Sequence, residues 1–303
     1  MDTLLTPAQT AERLPWAALA DEIEALLRDP AVRVPERIIL PTAQGAVLFV
    51  MPAADARVAM TKLISFTPAN TGTDIPTIQG DVTVFDVATG TRWLILDGPT
   101  ITARRTAAVS ALAARRLAPN RAGPMLVVGA GVQGQAHVEA FAAVLGVQDF
   151  RIASRRHASA EALARHARGL GLRAEVVIDA DAALADCPLV ATCTPANAVV
   201  LRGPVRPDAF ITAVGAFTPR MIELDGALCR AIAACGRIII DTPDAEHEAG
   251  DLIQAGVPVA GMPTLAQVVA ADEKPAHGPV LFKNCGWAGW DLAAARLALR
   301  SEA

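Results

Sequence analysis

Hydrophobic and polar positions follow two different rhythms along the chain, and the rhythm changes near residue 119. Leu14, Ala18, Ile23, Leu26 and Leu27 fall near one face of a helix spanning 10–28. Short strand-like runs follow at 37–40, 46–51, 62–66, 80–86 and 93–96, with a loop rich in Thr, Gly and Pro before the fourth. Ala88-Thr89-Gly90 predicts a hairpin between the last two, so this stretch reads as an antiparallel or mixed sheet. A long Ala- and Arg-rich helix is expected over 102–117, and the PNRAGP stretch at 119–124 is the best linker candidate.

Beyond that linker, strands and helices alternate. Strands are expected at 125–128, 149–153, 175–178, 189–192, 209–214 and 237–241, and helices at 133–145 and 158–169. This order predicts an α/β fold with a Rossmann-type, doubly wound parallel sheet. The tail, GWAGWDLAAARLALR, reads as a final amphipathic helix, and no internal repeat or low-complexity segment interrupts the pattern.

Composition narrows the class. The 303 residues are 52% hydrophobic and 19% charged, as in a well-packed globular protein. A net charge of −4, with no run joining basic to aromatic residues, argues against nucleic acid. No unbroken apolar stretch has the length of a membrane span, and the acidic N-terminus does not read as a signal peptide. The five cysteines, Cys187, Cys193, Cys229, Cys235 and Cys285, lack C-x-x-C spacing and suit a reducing compartment. A cytoplasmic protein is therefore expected. The dispersed histidines predict no catalytic metal, and G-x-S-x-G is missing.

The strongest motif is Gly129-Ala130-Gly131-Val132-Gln133-Gly134, a complete G-x-G-x-x-G between the strand PMLVV and a helix. The first glycine suits the tight turn, the second admits a pyrophosphate to the backbone, and the third lets helix and sheet pack closely. The helix start then offers N–H groups to the phosphates. NAD sites usually carry an acid at the end of the second strand, but here DFRIA ends in Ser154-Arg155-Arg156. Serine and two guanidiniums would bind a 2′-phosphate, so the expected cofactor is NADP, with NADPH preferred over NADH.

Leu96-Asp97-Gly98 followed by Ile101-Thr102-Ala103-Arg104-Arg105-Thr106-Ala107-Ala108, together with the Gly-Ala-Gly-Val-Gln turn, resembles the signature of the ornithine cyclodeaminase/mu-crystallin family. The likeness runs from about Arg37 to the tail helix. It implies a homodimer in which residues 1–118 and 287–303 form an α+β substrate and dimerisation domain, with an NADP-binding domain, 119–286, inserted. It also implies that Arg37, Lys62 and Arg105 hold a substrate carboxylate, which bidentate guanidinium geometry suits. Lys62 is the catalytic candidate. Arg105 and Thr106, the six residues of the glycine turn, Ser154, Arg155, Arg156, Thr192, Cys193, Val214 and Asn284 are the cofactor-binding candidates.

Departures from the family pattern sharpen the expected chemistry. Ornithine cyclodeaminases place an acid where Phe49 stands, two residues before Met51-Pro52, and another where Phe217 follows Ala213-Val214-Gly215-Ala216. Cyclodeamination needs acid–base groups at such positions, whereas phenylalanines suit the methylenes of a ring. Gly215-Ala216-Phe217-Thr218-Pro219, then Met221, Glu223 and Leu224, is similar to bacterial reductases of Δ1-pyrroline-2-carboxylate and Δ1-piperideine-2-carboxylate. So is the ending from Lys283 to Leu292. The resemblance thus implies NADPH-dependent reduction of a cyclic 2-imino acid to L-proline or L-pipecolate. Ornithine cyclodeaminase with bound NAD, alanine dehydrogenase and a non-catalytic NADP-dependent binding protein stay open. Glu248 and Asp251 in EAGDL also match a family pattern, although charged loop residues are usually solvated. The Gly-rich run 278–289 is expected to close over the nicotinamide.

Overall fold

The computed structural model describes residues 4–70, 73–195, 197–275 and 277–300. The chain begins with helices α1 (Pro7–Glu12) and α2 (Trp16–Leu27). Strands β1 (Ile38–Pro41), β2 (Val47–Ala54), β3 (Val58–Phe66), β4 (Ile78–Asp86) and β5 (Arg92–Asp97) follow, then α3 (Gly98–Leu117). The alternating region runs through β6 (Met125–Val128), α4 (Val132–Leu145), β7 (Asp149–Ala153), α5 (His157–Gly169), β8 (Arg173–Val176), α6 (Ala180–Ala183) and β9 (Leu189–Thr192). It continues with β10 (Asn197–Leu201), β11 (Phe210–Ala213), β12 (Ile222–Leu224), α7 (Gly226–Cys235), β13 (Arg237–Ile240) and α8 (Ala245–Glu248). The last elements are α9 (Gly250–Gln254), α10 (Leu265–Ala270), β14 (Val280–Lys283) and α11 (Ala288–Arg300).

One compact unit holds the described residues of Met1–Arg105 and Trp287–Ala303. Its sheet is an antiparallel meander in the order β1-β2-β3-β4-β5. The period of two sets its faces. Val58, Met60, Lys62 and Ile64 on β3 are buried, and Val82, Val84, Leu94 and Leu96 continue that face on β4 and β5. Helix α11 packs on β2, β3 and β4, and α2 packs on α11. Arg296 fastens α11 by bonding Asp29 at 2.5 Å and also pairing with Asp55. The single helix expected over 10–28 is instead two. Pro15 cannot donate to a helical ladder and disfavours helix at Leu14, so α1 ends early and α2 restarts at Trp16.

The second unit is Thr106–Gly286 in its described residues. Its parallel sheet has the order β13-β14-β11-β9-β6-β7-β8. The direction of winding reverses between β6 and β9, the switch point where such sheets open a crevice at the carboxyl ends of their strands. β6, β9, β11 and β14 are buried at every position, as strands covered on both faces must be. The α/β fold expected from the sequence is thus observed. The run 278–289 contains a strand that the sequence reading did not include. Its apolar core Val280-Leu281-Phe282 belongs to β14, bonded between β11 and β13, because three buried hydrophobics outweigh the flanking glycines.

Candidate active site

In the antiparallel-sheet unit, Lys62 stands in a register otherwise occupied by apolar residues, with Met51 and Val82 opposite it on the neighbouring strands. Only 2% of it is exposed. Its Nζ donates to Asp291 Oδ1 of α11 at 3.1 Å, and Arg105 Nε of α3 donates to the same oxygen at 3.2 Å. Arg37, half-buried just before β1, adds a third cation close enough to act on Lys62. Burial pushes the Lys62 ammonium down to about 8, while Asp291 opposes that and Arg105 and Arg37 reinforce it. Phe49 pairs with Ile64 on β3, one step along the Lys62 face. The unit therefore gathers Arg37, Lys62, Arg105 and Phe49, with an excess of positive charge beside an apolar wall.

In the parallel-sheet unit the hexapeptide forms the turn from β6 into α4. Gly129 has φ +115°, and a Cβ there would lie 2.6 Å from the Cys193 carbonyl oxygen. A Cβ on Gly134 would lie 2.0 Å from the Gly129 oxygen, so helix and turn touch backbone to backbone. Gly131 differs, since a Cβ there would meet no atom within 4 Å. It is the N-cap of α4 and supplies no side-chain cap, so the helix start, with Ala130, Val132 and Gln133, presents backbone N–H groups to an anion. Those features fit a dinucleotide pyrophosphate. At the end of β7, Ser154 is half-buried and Arg155 and Arg156 are exposed. Neither guanidinium has a partner among the described residues.

The other cofactor candidates of this unit lie along the carboxyl edge of the sheet. Thr192, Ala213 and Lys283 are in register on β9, β11 and β14, so Cys193, Val214 and Asn284 are the next residue on each. Val214 N–H donates to the Thr192 carbonyl at 3.0 Å, and Asn284 N–H to that of Ala213 at 3.1 Å. The Asn284 side chain is buried, and neither its oxygen nor its nitrogen has a hydrogen-bond partner, as expected of an amide shaped for a polar ligand. Burial pushes the Cys193 thiol well up, so it is no nucleophile. Thr106 is buried in α3, and Phe217 is half-buried against the apolar core of this unit.

Three buried acids carry parts that sequence reasoning did not assign. Glu223 accepts from Thr192 Oγ1 at 2.9 Å, Thr194 N–H at 2.7 Å and Gly215 N–H at 2.7 Å, tying together the loops after β9 and β11. Asp251 is not a solvated loop residue. It is fully buried on α9, bonded to Lys283 Nζ at 2.8 Å and to the N–H groups of Glu223 and Leu224. Asp291 is the third. Only Asp291 is a lone acid within an apolar run, a signal the sequence does carry.

The chain matches the ornithine cyclodeaminase/mu-crystallin family over residues 2–301. It is 37% identical to the Δ1-pyrroline-2-carboxylate/Δ1-piperideine-2-carboxylate reductase of Azospirillum brasilense, across 96% of this chain and 93% of that protein. Identity to the ketimine reductase mu-crystallin of Mus musculus is 34%, across 89% and 85%. In fold it is similar to Thermococcus litoralis Δ1-pyrroline-2-carboxylate reductase, solved with NADH and L-proline, at TM-score 0.89 and 22% identity. That match covers 98% of this chain and 96% of the other.

Proposed function

The chain belongs to the ornithine cyclodeaminase/mu-crystallin family, and from that premise we propose that it reduces cyclic 2-imino acids with NADPH. Δ1-Pyrroline-2-carboxylate would give L-proline, and Δ1-piperideine-2-carboxylate L-pipecolate. The observation that carries this reading is the buried cation group of Lys62 and Arg105, with Arg37 near it, on an apolar sheet face. It suits a planar carboxylate attached to a hydrocarbon ring.

Arg37, Lys62 and Arg105 hold the carboxylate and so fix the imine carbon in one orientation. Lys62, or a water it holds, gives a proton to the ring nitrogen. A group titrating at about 8 is poised for such transfer near neutrality. Phe49 and Phe217 leave no carboxylate at the two positions where a cyclodeaminase keeps one, which favours reduction over ring closure of ornithine. A nicotinamide dinucleotide, when bound, supplies the hydride. The glycine turn and the start of α4 hold its pyrophosphate, and Asn284 meets its polar end with an otherwise unpaired amide. Ser154, Arg155 and Arg156 take the 2′-phosphate, which is why NADPH is preferred over NADH.

The protein works as a homodimer in this reading. β1 is an edge strand, and Ile38 and Leu40 are 60% and 52% exposed, with Leu63 at 46% in the same row of the outer face as Ile38. A second copy would cover that apolar edge. No helix of the described residues is long and apolar enough to cross a membrane.

The test is oxidation of NADPH, and separately NADH, with the five- and six-membered imino acids, beside ornithine alone and pyruvate with ammonia. Turnover of the imino acids with NADPH is expected. Ammonia release from ornithine would identify a cyclodeaminase, and faster turnover of pyruvate with ammonia an alanine dehydrogenase. Cofactor binding with no turnover of any of these would leave a binding protein.

A further inference from the structure

Asp291 lies in the apolar sequence Trp290-Asp291-Leu292-Ala293 on α11, and all four residues are buried. A carboxylate so placed is costly unless it is paired. Its pairing is uneven. Oδ1 accepts from Lys62 at 3.1 Å and from Arg105 at 3.2 Å, whereas the buried Oδ2 has no hydrogen-bond partner. Lys62 and Arg105 come from β3 and α3, 229 and 186 positions from Asp291, so α11 is what joins them.

The atoms used on each cation are informative. Arg105 bonds Asp291 through Nε alone, and its two terminal nitrogens have no hydrogen-bond partner among the described residues. Those nitrogens form the end-on fork that receives a carboxylate bidentately. Lys62 spends one of its three donors on Asp291. A single carboxylate oxygen thus anchors both cations from behind and leaves the donors that a substrate needs. One carboxylate is shared by two cations, so the Lys62–Arg105 group still attracts an anion.

We propose that Asp291 is the positioning residue of this site: through Oδ1 it aims Arg105 and Lys62 at the substrate carboxylate and keeps Lys62 protonated for the reduction. This deepens the imine reductase reading and rests on it. The charged groups that act on Lys62 are Asp291 from α11, Arg105 from α3 and Arg37 ahead of β1. The flanking strands β2 and β4 set Met51 and Val82 against it. Asp291 is the one acid among them, and removing it leaves burial and two cations to expel the Lys62 proton.

The experiment compares kcat/KM against pH for the wild type, Asp291→Asn and Asp291→Glu with NADPH and the preferred imino acid. Melting temperature and NADPH affinity are measured alongside. For Asp291→Asn, kcat/KM is expected to fall about 100-fold, with its basic limb moved down by about one pH unit or more and NADPH affinity unchanged. Asp291→Glu keeps the charge but displaces it, so its limb should stay near that of the wild type while kcat/KM falls about 10-fold. A wild-type limb and kcat/KM in Asp291→Asn would overturn the proposal. If that variant does not melt cooperatively, Asp291→Glu decides, and a wild-type kcat/KM there overturns it equally. Should the wild type fail on every imino acid, the reductase reading falls by itself. Asp291 is then tested by L-proline binding to the NADP-loaded protein, expected to be about 10-fold weaker in Asp291→Asn. Equal binding, or none by the wild type, would overturn it.

Discussion

In the parallel-sheet unit the contiguous hexapeptide from Gly129 to Gly134 builds the whole turn after β6, whereas in the antiparallel-sheet unit Lys62 and Arg105 meet on a carboxylate 229 and 186 positions away. The turn needs only its own backbone and one neighbouring loop, since the contacts that force glycine at 129 and 134 come from Cys193 and from Gly129 itself. The cation group needs strand register, a helix from the middle of the chain and the docking of the last helix. A short local motif is therefore robust to change elsewhere. An assembled site inherits every displacement of the elements that carry it.

The largest effect expected from this contrast is at Lys62. Lys62→Ala should lower kcat about 1,000-fold through loss of the positioned proton donor, while NADPH affinity stays at the wild-type value. Steady-state kinetics with fluorescence titration of NADPH reads both, and unchanged turnover would remove Lys62 from its role. The same residue sets the pH profile. Its proton is present below about 8 and is lost as pH rises through that value, so wild-type kcat/KM should be flat on the acid side and fall above it.

The next effect divides the glycine turn from within. Gly131→Val meets no protein atom within 4 Å of its Cβ, so the melting temperature should hold while NADPH affinity falls about 10- to 100-fold. Gly134→Val drives a Cβ to 2.0 Å from the Gly129 oxygen, so it should lower the melting temperature and NADPH affinity together. Loss of stability in Gly131→Val would show that this glycine serves packing rather than the ligand.

A smaller change is expected at the end of β7. Replacing Arg155 and Arg156 together by Ala should weaken NADPH about 10-fold or more and leave NADH affinity nearly unchanged, because only the 2′-phosphate is lost as a partner. Equal weakening of both nucleotides would assign the arginines to general attraction. The smallest effect on turnover belongs to the sheet edge. Ile38→Asp with Leu40→Asp should shift light-scattering mass from dimer to monomer, with activity changed only about two- to five-fold.

How much of this was legible in the sequence follows the same division. The strands β6 and β9 could be read residue for residue as short buried runs with sharp ends, and β7 from the alternation of Phe150 and Ile152 with charged neighbours. β14 was not legible because glycines flank Val280-Leu281-Phe282 closely, and its ladder to β11 and β13 identifies it. Lys62 could be named from the family resemblance. Its burial follows from the alternation Val58, Met60, Lys62, Ile64, visible once β3 is seen to begin at Val58. Asp291 had a weaker trace, one acid in the apolar face of the tail helix, and nothing in the sequence says which cations it meets. Asp251 had the opposite history: its charge suggests solvent, and its burial depends on Lys283, which no local pattern places beside it. Charged pairs that cross between distant elements are decided by tertiary packing, so sequence rhythm does not report them.

The proposed reduction consumes one NADPH for each imino acid converted. The direct measurement is the stoichiometry of a single reaction, with NADPH oxidised followed by absorbance and L-proline or L-pipecolate formed followed by chiral chromatography. One L-amino acid for each NADPH is predicted for the wild type, with both changes about 1,000-fold slower in Lys62→Ala. NADPH left unoxidised by the wild type in the presence of both imino acids, or oxidised with no L-amino acid formed, would contradict it.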